Sequence, residues 1–421
     1  MKSIYSLFAL ILGMIFASTL TFAQEATEVP SGDNTGEVKV KLENMEESVS
    51  ALVSDVTGLK KLKVTGYLQV QYENSQSSKG FAMNPYDSSD YAQSRLRVRR
   101  SRLKFAYDAG MAKFVLQGDF SNEKFELKDA YMTIEDPWTK NFALTTGVFN
   151  RPNYEVEYSS SARESMERSS VIRALYPGER DLGLMITAAP NDLFKLQLAA
   201  FNNTYQGTYK QFMPTFNDAP FYYMARITKE LLYQDIGLAV DFGAHARFGD
   251  VVANTNKIIE SGNNSSVVDS NTVIKGDKLG RNWFGVEAQV YYDFLGGMKL
   301  LGEYIAGADV NELTPASRAP SPIRKRNFSG YYAMLVKNIT DDWQIAIKYD
   351  SYDPNTKIEN LKIIDAKDLA VSTLGFGIHN YSINNIRISL WYDMIRTETQ
   401  PTIMKEDPKD DLLTLRFQFK F

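Results

Sequence analysis

From Lys63 onward apolar and polar residues alternate with a period of two, the spacing that sends successive side chains to opposite faces of a β-strand. Ile236, Leu238, Val240 and Phe242 alternate with Gly237, Ala239, Asp241 and Gly243, and Phe284, Val286, Ala288, Val290 and Tyr292 with Glu287, Gln289 and Asp293. Trp343 to Asp350 and Ile386 to Met394 repeat the pattern. Segmenting on it predicts about sixteen strands, near 63–73, 94–107, 112–120, 125–135, 142–149, 181–189, 193–202, 221–229, 236–248, 282–294, 298–306, 328–337, 343–352, 370–380, 386–395 and 412–421. Their connections sort into two kinds, the link after the third strand, Ser121 to Lys124, being the one short exception on the long side. Tight turns such as Asp108-Ala109-Gly110, Pro190-Asn191-Asp192 and Leu295-Gly296-Gly297 alternate with long loops at 74–93, 150–180, 203–220, 249–281, 307–327, 353–369 and 396–411. A soluble sandwich has no reason to sort its loops this way. A transmembrane antiparallel β-barrel does, with short periplasmic turns and long external loops. The predicted fold class is all-β, a barrel over 63–421.

Ahead of the barrel the period changes. Val38, Leu42, Met45, Val49, Leu52, Val56 and Leu59 are spaced alternately four and three apart, a two-position seam of about three heptads. This predicts a short coiled-coil helix over 36–60, the alternative being a single amphipathic helix packed on its own chain. A linker rich in Gly, Asp, Asn and Thr occupies 24–35. Residues 1–23 read as a secretory signal: Lys2, an apolar run from Leu7 to Leu20, then Thr21-Phe22-Ala23 with cleavage expected after Ala23. The apolar run is shorter than the ~20 residues a spanning helix requires. The expected location is the bacterial outer membrane.

Composition removes most other classes. The 421 residues carry a net charge of -4, which argues against a nucleic-acid partner. There is no cysteine, so disulfides, thiolate metal sites and cysteine nucleophiles are excluded. Only two histidines occur, which excludes a histidine-rich metal site. His245 lies mid-strand in a Gly/Ala setting and His379 closes a strand, neither beside a nucleophile pattern, so both read as structural and no enzyme activity is expected. No cofactor or metal is implied. A plugged transporter would need a globular domain ahead of the barrel, and 24–62 is too short for one.

At the other end Leu413, Leu415, Phe417, Phe419 and Phe421 alternate with Thr414, Arg416, Gln418 and Lys420. A terminal aromatic after such alternation resembles the recognition signal of barrels inserted by the outer-membrane assembly machinery. Further blocks match in order: Arg99-Arg100-Ser101-Arg102-Leu103-Lys104, Asp129-Ala130-Tyr131, Gly147-Val148-Phe149-Asn150-Arg151-Pro152, and the stretch from Glu167-Arg168-Ser169 to Arg180-Asp181-Leu182-Gly183. These resemble the signature blocks of the phosphate-selective porin O/P family, most clearly over about 64–200. The resemblance implies a sixteen-stranded, usually trimeric porin with an anion-favouring channel, often preceded by a periplasmic coiled coil.

The second strand carries the sharpest local signal. Leu96 and Val98 have one parity, Leu103, Phe105 and Tyr107 the other, which requires a register change near Arg99-Arg100 such as a β-bulge. With it, Arg95, Arg97, Arg99, Arg102 and Lys104 all face the lumen. Without it several arginines would face hydrocarbon at ~2–4 kcal/mol each near the midplane. A row of fixed cations attracts anions. The competing reading is that these arginines pair with acidic residues of an inward loop. The candidate loop is 150–180, with Arg151, Arg163, Arg168, Arg173 and Arg180 against Glu155, Glu157, Glu164, Glu167 and Glu179. Charges expected inward elsewhere are mixed: Lys113, Asp119, Lys195, Arg226, Asp241, Arg247, Glu287, Asp293, Glu303, Lys348, Asp350, Arg387, Asp393 and Arg416. The expected function is passive diffusion of small polar solutes with a mild anion, including phosphate, preference through Arg95, Arg97, Arg99, Arg102 and Lys104 with Arg151, Arg163 and Arg168 on the loop. The expected partners are small anions, polar solutes, outer-membrane lipid and two further copies in a homotrimer. The second reading is a non-conducting structural or adhesive barrel linking membrane and cell wall.

Overall fold

A computed structural model describes residues 61–421 apart from 78–80, 85–86, 122–124, 191–193, 203–220, 253–256, 260–266, 270–276, 294, 313–322, 358–367 and 402–403. The signal segment, the linker and the coiled coil lie outside the described residues.

Sixteen long antiparallel strands close into a barrel. They are β1 (Leu62–Ser75), β2 (Ser94–Asp108), β3 (Ala112–Asp119), β4 (Glu126–Glu135), β5 (Phe142–Asn150), β6 (Arg180–Ala188), β7 (Lys195–Phe201) and β8 (Tyr222–Tyr233). The second half is β9 (Leu238–Val252), β10 (Asn282–Tyr292), β11 (Met298–Glu312), β12 (Ile323–Asn338), β13 (Trp343–Asp353), β14 (Val371–Asn380), β15 (Ile386–Thr397) and β16 (Leu412–Lys420). Each strand pairs with its sequence neighbours, and β1 pairs with β16 from Tyr67 opposite Lys420 to Ser75 opposite Leu412. Phe421 extends the seam through two 3.0 Å backbone hydrogen bonds with Gly66. Pairing of the first strand with the last leaves the barrel no open edge in the membrane, which hydrocarbon demands because it offers no hydrogen-bond partner. Among the described residues no helix is long and apolar enough to cross a membrane; the strands do it.

The burial pattern is inside-out relative to a soluble protein. Along β1, Gln69, Gln71, Glu73 and Ser75 are buried while Leu68 and Tyr72 are exposed. Exposed Phe120, Phe125, Phe221, Tyr223 and Phe248 gather at the long-loop end, and Tyr107, Phe142, Tyr233, Trp343 and Tyr381 at the short-turn end. Two aromatic girdles around an apolar band match a bilayer's two interfaces. The short turns use left-handed backbone: Leu295, Gly296 and Gly297 have φ of 48°, 91° and 96° in succession. Two glycines there spare the Cβ strain that an L side chain meets at positive φ.

The predicted bulge is present. Gln69 pairs with Arg100 and Val70 with Val98, leaving Arg99 as the extra residue. Leu96 is thereby 72% exposed on the outer face, and Phe105 and Tyr107 beyond the bulge are also exposed there. One additional residue joins the inward set: Arg100, which the strand's parity had not placed there, is 3% exposed inside the barrel.

Candidate functional site: the inward loop and the basic wall

The segment between β5 and β6 folds into the barrel. Asn153 caps a short helix α1 (Tyr154–Glu157) by accepting from Val156 N at 3.1 Å. A second helix, α2 (Ser170–Leu175), buries Val171, Ile172 and Leu175. Val171 lies so close to Gly330 on β12 that a Cβ at 330 would stand 2.6 Å from Val171 Cβ. The loop therefore seats on this wall through apolar packing, joined by Phe149, Tyr176, Trp283, Phe328 and Tyr332 in one cluster.

On the opposite wall the same loop is held by polar bonds. Tyr67 OH and Ser160 Oγ are 2.6 Å apart, Gln69 Nε2 donates to Ser160 O at 3.1 Å, and Gln418 Nε2 to Ser161 O at 2.9 Å. Arg416 Nη1 donates to Met166 O at 3.1 Å. Further ion pairs join Glu157 to Arg226 at 2.7 Å, Glu155 to Lys348 at 3.3 Å, and Glu164 to Lys299. The loop thus spans the lumen from β1, β15 and β16 to β8, β11 and β13, and narrows it.

The arginines of β2 meet carboxylates from three sources. Arg95 and Arg97 flank Glu73 of β1 at 2.5 and 3.0 Å, and Arg102 pairs with Asp119 of β3 at 2.9 Å. Arg99 binds Glu167 of the loop through two 2.8 Å hydrogen bonds, and Arg100 reaches the same carboxylate at 3.3 Å. Arg416 completes the group at 3.4 Å. Three guanidiniums around one carboxylate leave positive charge over. Burial alone would raise the Glu167 carboxyl, but Arg100, Arg99 and Arg416 outweigh it and hold it well below the ordinary range. Glu179 behaves alike: burial is outweighed by Arg168 and Arg180.

The three loop arginines singled out from the sequence are buried and tied largely to backbone oxygens. Arg151 donates to Pro177 O at 2.7 Å, Arg163 to Met166 O at 3.4 Å, and Arg168 to Glu155 O at 2.9 Å and to the Glu179 carboxylate. Arg163 keeps one terminal nitrogen, Nη1, without an acceptor. Lys104 stands apart from these pairs. It lines a cavity of about 420 Å³ at the short-turn side of the loop with Lys63, Lys420, Arg102, Arg168 and Arg180, against Asp129 and Glu157. Among the described residues no carboxylate lies within ion-pairing distance of Lys63, Lys104 or Lys420.

Sequence reasoning missed Arg100, Glu73, Lys63 and Lys420. The two lysines were readable from parity, since Lys63 shares the inward parity of Gln69 and Lys420 that of Arg416. Glu73 required the β1–β2 register, which places it opposite Arg95.

Among curated proteins no match is found. Solved structures do match. The outer-membrane channel DcaP of Acinetobacter baumannii superposes with a TM-score of 0.56 at 13% identity, covering 86% of this chain and 97% of that one. OmpT, an outer-membrane protein of Vibrio cholerae solved in its trimer form, gives 0.53 at 9% identity, with 86% and 99% covered. At such identities the likeness concerns the barrel fold alone. The family described as phosphate-selective porin O and P matches residues 67–421, all of the barrel but the first residues of β1, and the chain belongs to that family of outer-membrane porins.

Proposed function

We propose that this porin is a passive diffusion channel with a mild preference for small anions, phosphate among them, working as a homotrimer exported by its cleaved signal segment. The observation that carries the reading is the concentration of cations on one wall beside the narrowing loop. Arg95, Arg97, Arg99, Arg100 and Arg102 follow one another down β2, and Lys104, Lys63 and Lys420 continue the row toward the short-turn end. Glu73, Glu167 and Asp119 neutralise part of the upper row, while among the described residues no carboxylate pairs with the lower lysines. An entering anion meets a partly compensated positive field first and an uncompensated one next; a cation meets the reverse. Arg151, Arg163 and Arg168 act from the loop, bracing it and adding to the same field.

The mixed charge of the other walls, Glu287, Glu303 and Asp350 against Arg226, Lys348 and Arg387, keeps the preference mild. Single-channel recording of purified protein, with liposome swelling in neutral sugars of increasing size, tests the reading. Steady conductance and size-limited swelling are expected. A folded, inserted barrel that passes neither ions nor sugars would favour the structural role instead.

A further inference from the structure

The strand wall opposite β2 holds a second cluster, built around a buried histidine. His245 lies at the middle of β9 with its side chain wholly enclosed. Its cross-strand partner on β10 is Gly285. A Cβ built at 285 would stand 2.3 Å from His245 Nε2, so the bare glycine is what lets the imidazole lie across β10 and reach β11. There Nε2 meets Glu303 Oε1 at 2.7 Å. Glu287, directly opposite Glu303 in register, supplies a second buried carboxylate. One ligand atom from each of the three residues lies within 4.8 Å of the others.

The surrounding donors do not complete the cluster. Arg226 Nη2 donates to Glu287 Oε1 at 2.6 Å, Tyr332 OH to Glu303 Oε2 at 3.1 Å, and Asn153 Nδ2 to Glu303 Oε1 at 2.5 Å. Glu287 Oε2 and His245 Nδ1 remain buried without a partner. A buried carboxylate oxygen left unmatched is costly, and Arg226, the guanidinium beside Glu287, is shared with Glu157 of the loop. A cation would resolve both deficits.

We propose that His245, Glu287 and Glu303 form a binding site for a divalent first-row metal ion, of which Zn2+ is the type. One imidazole nitrogen with two carboxylates is a common donor set for such ions, with bonds of ~2.0–2.2 Å, whereas Ca2+ and Mg2+ favour oxygen alone. An imidazole protonated at Nδ1 presents its Nε2 lone pair toward Glu303, and binding would draw the three side chains together around the ion. Asn153 ties the site to the root of the inward loop, so the ion braces the loop at the wall opposite its Glu167 clamp.

The test uses the full-length protein in detergent, stripped with chelator, equilibrated with Zn2+ or Co2+, desalted and assayed for metal. Wild type is expected to retain about one ion per chain and to show ligand-field bands with Co2+. His245→Ala and Glu287→Gln should each weaken retention at least tenfold, while His379→Ala, which removes the other histidine, should leave it intact. Heat-modifiable gel mobility reports whether each variant is a folded barrel. Should His245→Ala fail to fold, Glu287→Gln and the wild-type Co2+ spectrum decide. Substoichiometric metal on wild type, absent Co2+ bands, or retention unchanged by Glu287→Gln would overturn the site.

Discussion

Glu167 is the residue at which the loop and the basic wall are joined, and its replacement by glutamine separates the two roles assigned to them. The substitution preserves shape and one acceptor oxygen but deletes the charge that Arg99, Arg100 and Arg416 surround at 2.8, 3.3 and 3.4 Å. Removing one member of a buried ion cluster costs ~3–5 kcal/mol. Since the Glu167 side chain is 31% exposed, about 3 kcal/mol, the low end of that range, is the appropriate figure. The charge change also acts on permeation. For an anion passing about 6 Å away through water of dielectric ~80, one added unit of positive charge is worth about 0.7 kcal/mol, a roughly threefold gain in anion entry. The assay pairs the temperature at which the heat-modifiable barrel form is lost with the zero-current potential in a planar bilayer. Glu167→Gln should lower the first and move the second toward chloride. A variant unchanged in both would refute the clamp and the field together.

Other perturbations give separate outcomes. Replacing Arg97, Arg99 and Arg102 by glutamine should lower anion preference about threefold or more under the same Coulomb estimate, read as a shift of zero-current potential toward zero or beyond. Preference should be clear at ~0.1 M salt and fade toward ~1 M, where the screening length falls to about 3 Å; selectivity independent of ionic strength would contradict a field mechanism. Because the Glu167 and Glu179 carboxyls lie below their ordinary range, their contribution to loop anchoring is present above the unfolded carboxylate value and lost only as pH falls through the depressed folded values. Conductance should therefore hold from neutral pH down through ~4, and a change of conductance near pH 6 would count against these groups as anchors. Deleting Phe421 removes both bonds to Gly66 at the closing seam and should reduce the yield of heat-modifiable barrel while leaving secreted chain.

The barrel was legible because lipid and lumen impose opposite demands on alternate residues. That constraint writes strand number, strand position and the Arg99 bulge directly into the period of the chain, and all sixteen predicted strands appear in order. The pairings inside the lumen were less legible. Glu73 neutralises Arg95 and Arg97 only through a register set across the long connection between β1 and β2. Loop arginines 151, 163 and 168 stand in sequence against an equal number of loop glutamates, yet backbone oxygens of their own loop take up much of their hydrogen bonding. Backbone acceptors leave no mark in composition. The neighbours of His245 were not legible either, because Glu287 and Glu303 come from separate strands and the glycine that admits its ring sits on one of them.

The zero-current potential of the purified protein in a planar bilayer under a KCl gradient tests the central claim most directly. The account predicts a stable conductance with a modest chloride-favouring potential that shrinks at high salt. A cation-favouring potential would contradict the role given to the wall of Arg97, Arg99, Arg102 and Lys104, and an inserted barrel without conductance would contradict the channel itself.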